Sequence, residues 1–157
     1  MKRRILNPYT EIEGYNCFGC SPNNIHGLQM DFFEDNEYII SEWFPKPHFQ
    51  GYNNVLHGGI QAALMDEIAS WCAQIKLKTA GVTSKIETKF KKPVYCNKGK
   101  IILKALLIKT RINFAEVHVE LFDGEGKLCS ESDIIYYMYP IEIARKRFYY
   151  PDYDSFF

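Results

Sequence analysis

Hydrophobic and polar positions change their period three times along this chain. After an irregular opening, "GLQMDFFED" and "EYIISEWF" alternate as strands do, and a hairpin is expected to turn near Glu34–Asn36. "PKPHFQGYNNVL" has no regular period; two prolines and a glycine make it a loop that leads into His57. From Gly58 to about Lys78 the spacing becomes helical, with Ile60, Leu64, Ile68, Trp71 and Ile75 along one apolar face. Past Gly81 the texture returns to strand in "VTSKIETKFKKPV", "KGKIILKALLIKT", "INFAEVHVELF" and "KLCSESDIIYYMY". The turn "DGEG" (Asp123–Gly126) joins the last two as a hairpin. The order strand, strand, long helix, four strands predicts one α+β domain, an antiparallel sheet of about six strands wrapped around one long central helix. Residues 1–26 are expected to be irregular and 27–139 to form the domain. Residues 140–157 are expected to form an aromatic tail that packs on a neighbour or a sheet edge.

Composition narrows the function. The chain has 157 residues, enough for one sizeable core and short for two. It is 46% hydrophobic, so it is expected to fold as a globule, and no apolar run approaches a membrane span. The 19 basic and 19 acidic residues cancel, which removes the footprint of a general nucleic-acid binder. "MKRRILNPYTEIEGY" starts basic with no apolar stretch behind it, so no secretory signal is expected. Five scattered cysteines fit reduced thiols in a cytoplasmic protein.

The chemistry gathers in "NNVLHGGIQAALMDE", Asn53 to Glu67. Opposite the bulky face of the helix lie Gly59, Ala62, Ala63, Asp66, Ala69, Ser70 and Ala73, all small but for one carboxylate. Such a strip admits another backbone or a ligand, and a carboxylate within it is costly to bury without a purpose. The first N–H groups of a helix lack intrahelical partners and sit at the positive end of its dipole. A carbonyl docked on the Gly59 N–H would be polarised, and an oxyanion formed from it stabilised further. Alternatively, Gly58 and Gly59 only turn the chain into the helix. Gly59 and Asp66 are separated by roughly 10 Å of helix rise, too far to act on one carbonyl carbon. If both act together, one comes from a second copy, which predicts a symmetric dimer with two shared sites.

These residues resemble the hotdog-fold thioesterases, and more closely the phenylacetate-pathway-like acyl-CoA thioesterases. The resemblance rests on "HGG" at the helix start, an Asp nine residues after its His, and the strand–strand–helix–four-strand order. "CFGCSPNNIHGLQM" is similar to a "CFxCGxxNPxGL" opening of one branch, "FQGYNNVLHGG" to its "xQGxxGxxHGG", and "TKFKKPV" to its "xxYxxPV". It covers about Cys17 to Tyr139 and implies a hotdog fold and hydrolysis of an acyl-CoA. By resemblance, the Gly59 N–H, next to Gly58, holds the thioester carbonyl, and the partner chain's copy of Asp66 activates water or acts as nucleophile. His57 takes the place of the motif histidine that orients the loop or polarises the thioester. Thr83 stands where some relatives carry a hydroxyl that positions water. Where relatives have Asn six residues before the motif His, this chain has Gly51, and Gln50 is the candidate substitute. Glu67 points roughly 100° away from Asp66 and is the second-choice base. Lys89, Lys91 and Lys92 are candidates for the CoA nucleotide. No cofactor or metal is called for, and the partners expected are an acyl-CoA and a second copy, with a dimer of dimers as an extension.

Two other functions stand beside hydrolysis: an acyl-CoA-binding module without efficient catalysis, and a hotdog hydratase, whose His–acid pairing the Asp66 spacing fits less well. Cys17-x-x-Cys20 with His26 raises zinc, but no second CxxC or HxxxH follows, and no βαβ context supports redox chemistry. Packing as an N-terminal lid is the expectation for that segment. Cys72, Cys96 and Cys129, Trp43 and Trp71 are expected in the core or on strands, and His118 at the surface or in a satisfied position.

Overall fold

A computed structural model describes all of Met1–Phe157. Seven strands form one antiparallel sheet: β1 (Arg3–Ile5), β2 (Phe32–Asp35), β3 (Tyr38–Trp43), β4 (Gly81–Phe90), β5 (Ile101–Arg111), β6 (Phe114–Phe122) and β7 (Leu128–Met138). Their order across the sheet is β1-β2-β3-β5-β6-β7-β4. The long helix α1 (Gly58–Leu77) lies across one face of the sheet and touches β3 to β7. This is the sheet wrapped on one long helix that the pattern predicts, and the hotdog fold that the resemblance implies. The alternation "AEVHVELF" assigns the two faces of the interior strand β6: Ala115, Val117, Val119 and Leu121 are buried against α1, and the residues between them face outward. On α1 the bulky face behaves as read, with Leu64, Ile68, Trp71 and Ile75 buried.

Three features depart from the expectations. The opening is not wholly irregular: "RRI" pairs with β2 and adds a seventh strand, with Ile5 opposite Phe32. Three residues are too few to show a period, so only the tertiary pairing reveals this strand. The tail carries a second helix, α2 (Ile141–Phe148), and folds back onto its own chain. Phe156 is fully buried, Leu6 N–H donates to Phe156 O (2.8 Å), and Trp71 meets the Phe156 ring edge-on. Finally, the small strip of α1 is not all open. Ala69 and Ala73 are buried within the chain, leaving Gly59, Ala62, Ala63, Asp66 and Ser70 partly or fully accessible.

β4 shapes the rest. After α1 the chain crosses over and pairs only with β7, so β4 is a ten-residue outer edge. Val82, Ile86 and Phe90 are exposed along it. A long apolar strand edge is a template for another strand. A β-bulge between Thr83 and Lys85 interrupts its register with β7. No helix is long and apolar enough to cross a membrane.

Candidate active site

His57 closes the N-terminus of α1. Its main-chain oxygen accepts from the N–H groups of Ile60 and Gln61 (both 3.0 Å), while its Nδ1 accepts from the Gly59 N–H (2.9 Å). A neutral ring that accepts at Nδ1 carries its proton on Nε2. His57 is therefore a side-chain cap for the donor that the sequence offers to a carbonyl. Gly58 N–H makes no bond within the chain. A Cβ on Gly59 would lie 3.1 Å from the His57 ring, so the second glycine keeps ring and helix start in close contact.

The loop before His57 is tied down by Gln50. Its Nε2 donates to Pro47 O (2.7 Å) and its Oε1 accepts from Asn54 N–H, so both ends of the amide serve the loop. A groove at this helix start is lined by His48, Phe49, Gln50, His57, Gly59 and Ile60. His48 and Phe49 carried no spacing signal; the 3-10 turn Pro47–Phe49 brings them there.

Asp66 lies two turns further along. Thr83 Oγ1 donates to its Oδ1 at 2.9 Å, and the Tyr136 hydroxyl lies 2.7 Å from the same oxygen and 2.6 Å from the Asp66 main-chain oxygen. Both donors converge on Oδ1, and Oδ2 makes no hydrogen bond within the chain. Thr83 comes from the edge strand at its bulge, a place where strands commonly re-aim a side chain. Burial first, and the Asp66 charge second, push the Tyr136 phenol well above its ordinary pKa, so it stays a donor. Sequence reasoning missed Tyr136, because the strand alternation does not say which residue of β7 meets which turn of α1. Tyr136→Phe removes a bond to a carboxylate and is expected to lower stability by about 1–2 kcal/mol. Urea melts check this.

Glu67 faces a different neighbourhood from Asp66. Trp71 Nε1 donates to its Oε1 (3.1 Å), and Cys17 Sγ lies 3.5 Å from that oxygen. Burial, then the nearby Cys17, push its carboxyl up to about 7. The second-choice base thus belongs to the N-terminal segment and does not meet Thr83 or Tyr136. Lys89, Lys91 and Lys92 are exposed at the end of β4; Lys91 pairs with Glu131 (3.3 Å), while Lys89 and Lys92 make no ion pair. They flank Phe90, whose ring lies 3.6 Å from where a Gly58 Cβ would stand. The basic run and the helix start are therefore neighbours. His118 is satisfied by Asp133 (2.8 Å), and His26 is exposed at the surface.

Fold and site together define a hotdog protein with a capped glycine helix start and an anchored carboxylate two turns along. Residues 53–130 match the model of the thioesterase superfamily. The chain carries a hotdog domain of the thioesterase superfamily. A Thermoplasma acidophilum protein that bears an esterase name is 29% identical over 99 residues, covering 60% of this chain and 70% of the relative. The fold is similar to a thioesterase of Haemophilus influenzae (TM-score 0.66, 22% identity, 73% of this chain and 80% of that one). It is similar as well to a Ralstonia eutropha JMP134 protein named as related to phenylacetic acid degradation (TM-score 0.64, 19% identity, 71% and 86%). The family match supports thioester hydrolysis in general.

Proposed function

We propose that the protein is an acyl-CoA thioesterase of the phenylacetate-pathway-like kind, working as a homodimer in the cytoplasm with its cysteines reduced. The observation that carries this reading is the one-sided anchoring of Asp66. Thr83 and Tyr136 fix Oδ1, which leaves Oδ2 to take a proton from water. The water oxygen attacks the thioester carbon, and the carbonyl oxygen becomes an oxyanion on the N–H groups of Gly58 and Gly59 of the other subunit. Collapse expels the CoA sulfur, which recovers the proton from Asp66. A thioester carbonyl is already activated, so positioned donors and a base suffice in this scheme.

For the carbonyl to reach the Gly59 N–H, the His57 ring swings off it, and its Nε2–H is then a second donor near the thioester. The exposed apolar edge of β4 supports the dimer: pairing it with a second β4 would cover Val82, Ile86 and Phe90 and bring Thr83 to the seam. The lysines beside Phe90 would then meet the CoA phosphates as point charges.

The test is a panel of short, long and aromatic acyl-CoAs, followed by release of the CoA thiol. Hydrolysis of at least one class is expected, by a species that sediments as a dimer or larger. Tight acyl-CoA binding with no turnover across the panel would instead establish the non-catalytic module. A monomer in solution would refute the shared site.

A further inference from the structure

A second cluster lies on a neighbouring face of α1, where Glu67 meets neither Thr83 nor Tyr136. Cys17 Sγ and Cys20 Sγ are 3.3 Å apart, Glu67 Oε1 is 3.5 Å from Cys17 Sγ, and one ligand atom from each of the three residues fits within a 4.8 Å span. The sequence offered Cys17 and Cys20 with His26, and that triad fails because His26 points to solvent. The helix supplies the third member instead, fifty residues away, which no spacing rule on the segment itself could show.

We propose that Cys17, Cys20 and Glu67 form a binding site for one divalent zinc-type cation, which pins the N-terminal segment to the helix that carries Asp66. Three observations support it. First, the distances suit a tetrahedral ion. Zinc–sulfur bonds of about 2.3 Å and zinc–oxygen bonds of about 2.1 Å place two sulfurs about 3.8 Å apart and a sulfur and oxygen about 3.6 Å apart. The thiols need to open by only about half an ångström, and the carboxylate hardly at all. Second, the turn is built as a thiolate holder: the Cys20 N–H donates to Cys17 Sγ (3.4 Å). Hydrogen bonds of that kind orient a metal ligand from behind. Gly19 belongs to the same design, since a Cβ there would run into the Glu67 carboxylate at 2.3 Å.

Third, the charges are one-sided. The cavity beside the cluster, about 310 Å³, is lined by thirteen residues, and none is lysine, arginine or histidine. Two potential thiolates and a carboxylate therefore face a common point with no protein cation to balance them, and two sulfurs favour a borderline-soft ion over calcium or magnesium. The fourth position falls to water from this cavity or to the Tyr15 hydroxyl, 2.9 Å from Cys20 Sγ. Three protein ligands with a fourth exchangeable position is a known zinc arrangement.

The full chain, reduced and stripped with a chelator, is titrated anaerobically with Co²⁺. One equivalent per chain is expected, with a near-ultraviolet thiolate-to-cobalt charge-transfer band, tetrahedral visible bands, and displacement by Zn²⁺. Cys17→Ser and Cys20→Ser should lose affinity by more than about 100-fold, beyond the cost of removing an outer partner. Glu67→Gln should lose about 10-fold or more while keeping the sulfur band. Cys96→Ser, outside the cluster, should bind as the parent does. Because a cysteine variant can fail to fold, melting temperature is read in parallel: Zn²⁺ should raise it in the parent and much less in Glu67→Gln. Absence of the charge-transfer band with all thiols free, unchanged binding in Cys17→Ser, or formation of a Cys17–Cys20 disulfide in place of binding would each overturn the site. None of these readouts depends on acyl-CoA hydrolysis.

Discussion

Asp66→Asn should lower kcat by at least about 100-fold and leave KM nearly unchanged, the low end of what a positioned general base supplies. The substitution is clean because of where the hydrogen bonds fall. Thr83 and Tyr136 both address Oδ1, and an asparagine oxygen in that place accepts from both. Only Oδ2 changes, to an NH₂ that has no lone pair to take a proton. Stability should therefore hold within about 0.5 kcal/mol, as for substitutions that keep the partners satisfied. Turnover unaffected by this change would remove Asp66 from the chemistry.

Gly59→Pro should cost kcat about 100- to 1,000-fold, the range found when one oxyanion donor is removed. Proline lacks the N–H, and a first helical turn tolerates it because that N–H has no intrahelical partner; its Cδ takes the place of the hydrogen and displaces the His57 ring. Circular dichroism should show α1 retained. The lost cap from Gly59 to His57 adds about 1 kcal/mol of destabilisation. Gly59→Ala separates sterics from the donor. It keeps the N–H and asks the His57 ring, 3.1 Å from the new Cβ, to give by a few tenths of an ångström. Its activity should fall between wild type and the proline variant.

Much of the scaffold could be read from the chain because it rests on local signals. The three- and four-residue spacing from Ile60 to Ile75 marked α1, whose observed end is Leu77 followed by Lys78 in a left-handed cap. "DGEG" marked the β6–β7 turn, and the lone aspartate among small residues marked Asp66. What stayed hidden depends on distant pairing. Tyr136 reaches Asp66 only because β7 lies beside β4 in a particular register; Thr83 was named by the resemblance, but the bulge that aims it is encoded by no propensity. His57 as the helix cap was hidden for another reason: histidine is not among the side chains favoured there, so the two glycines drew attention to bare donors that the ring in fact covers. The tail and the three-residue β1 were invisible for want of length, and Glu67 met Cys17 across fifty residues of chain.

The central claim is that each site joins Gly59 of one subunit to Asp66 of the other. Co-expression of Asp66→Asn and Gly59→Pro chains with different tags, followed by tandem purification, isolates the heterodimer. In that species one site carries both defects and the other carries neither, since its glycine and its aspartate come from the chain in which each is intact. The account predicts recovery to about half the wild-type activity, one working site of two in a symmetric dimer, while both parent homodimers stay nearly inactive. A heterodimer as inactive as its parents would mean that each site is built from a single chain, and would contradict the account.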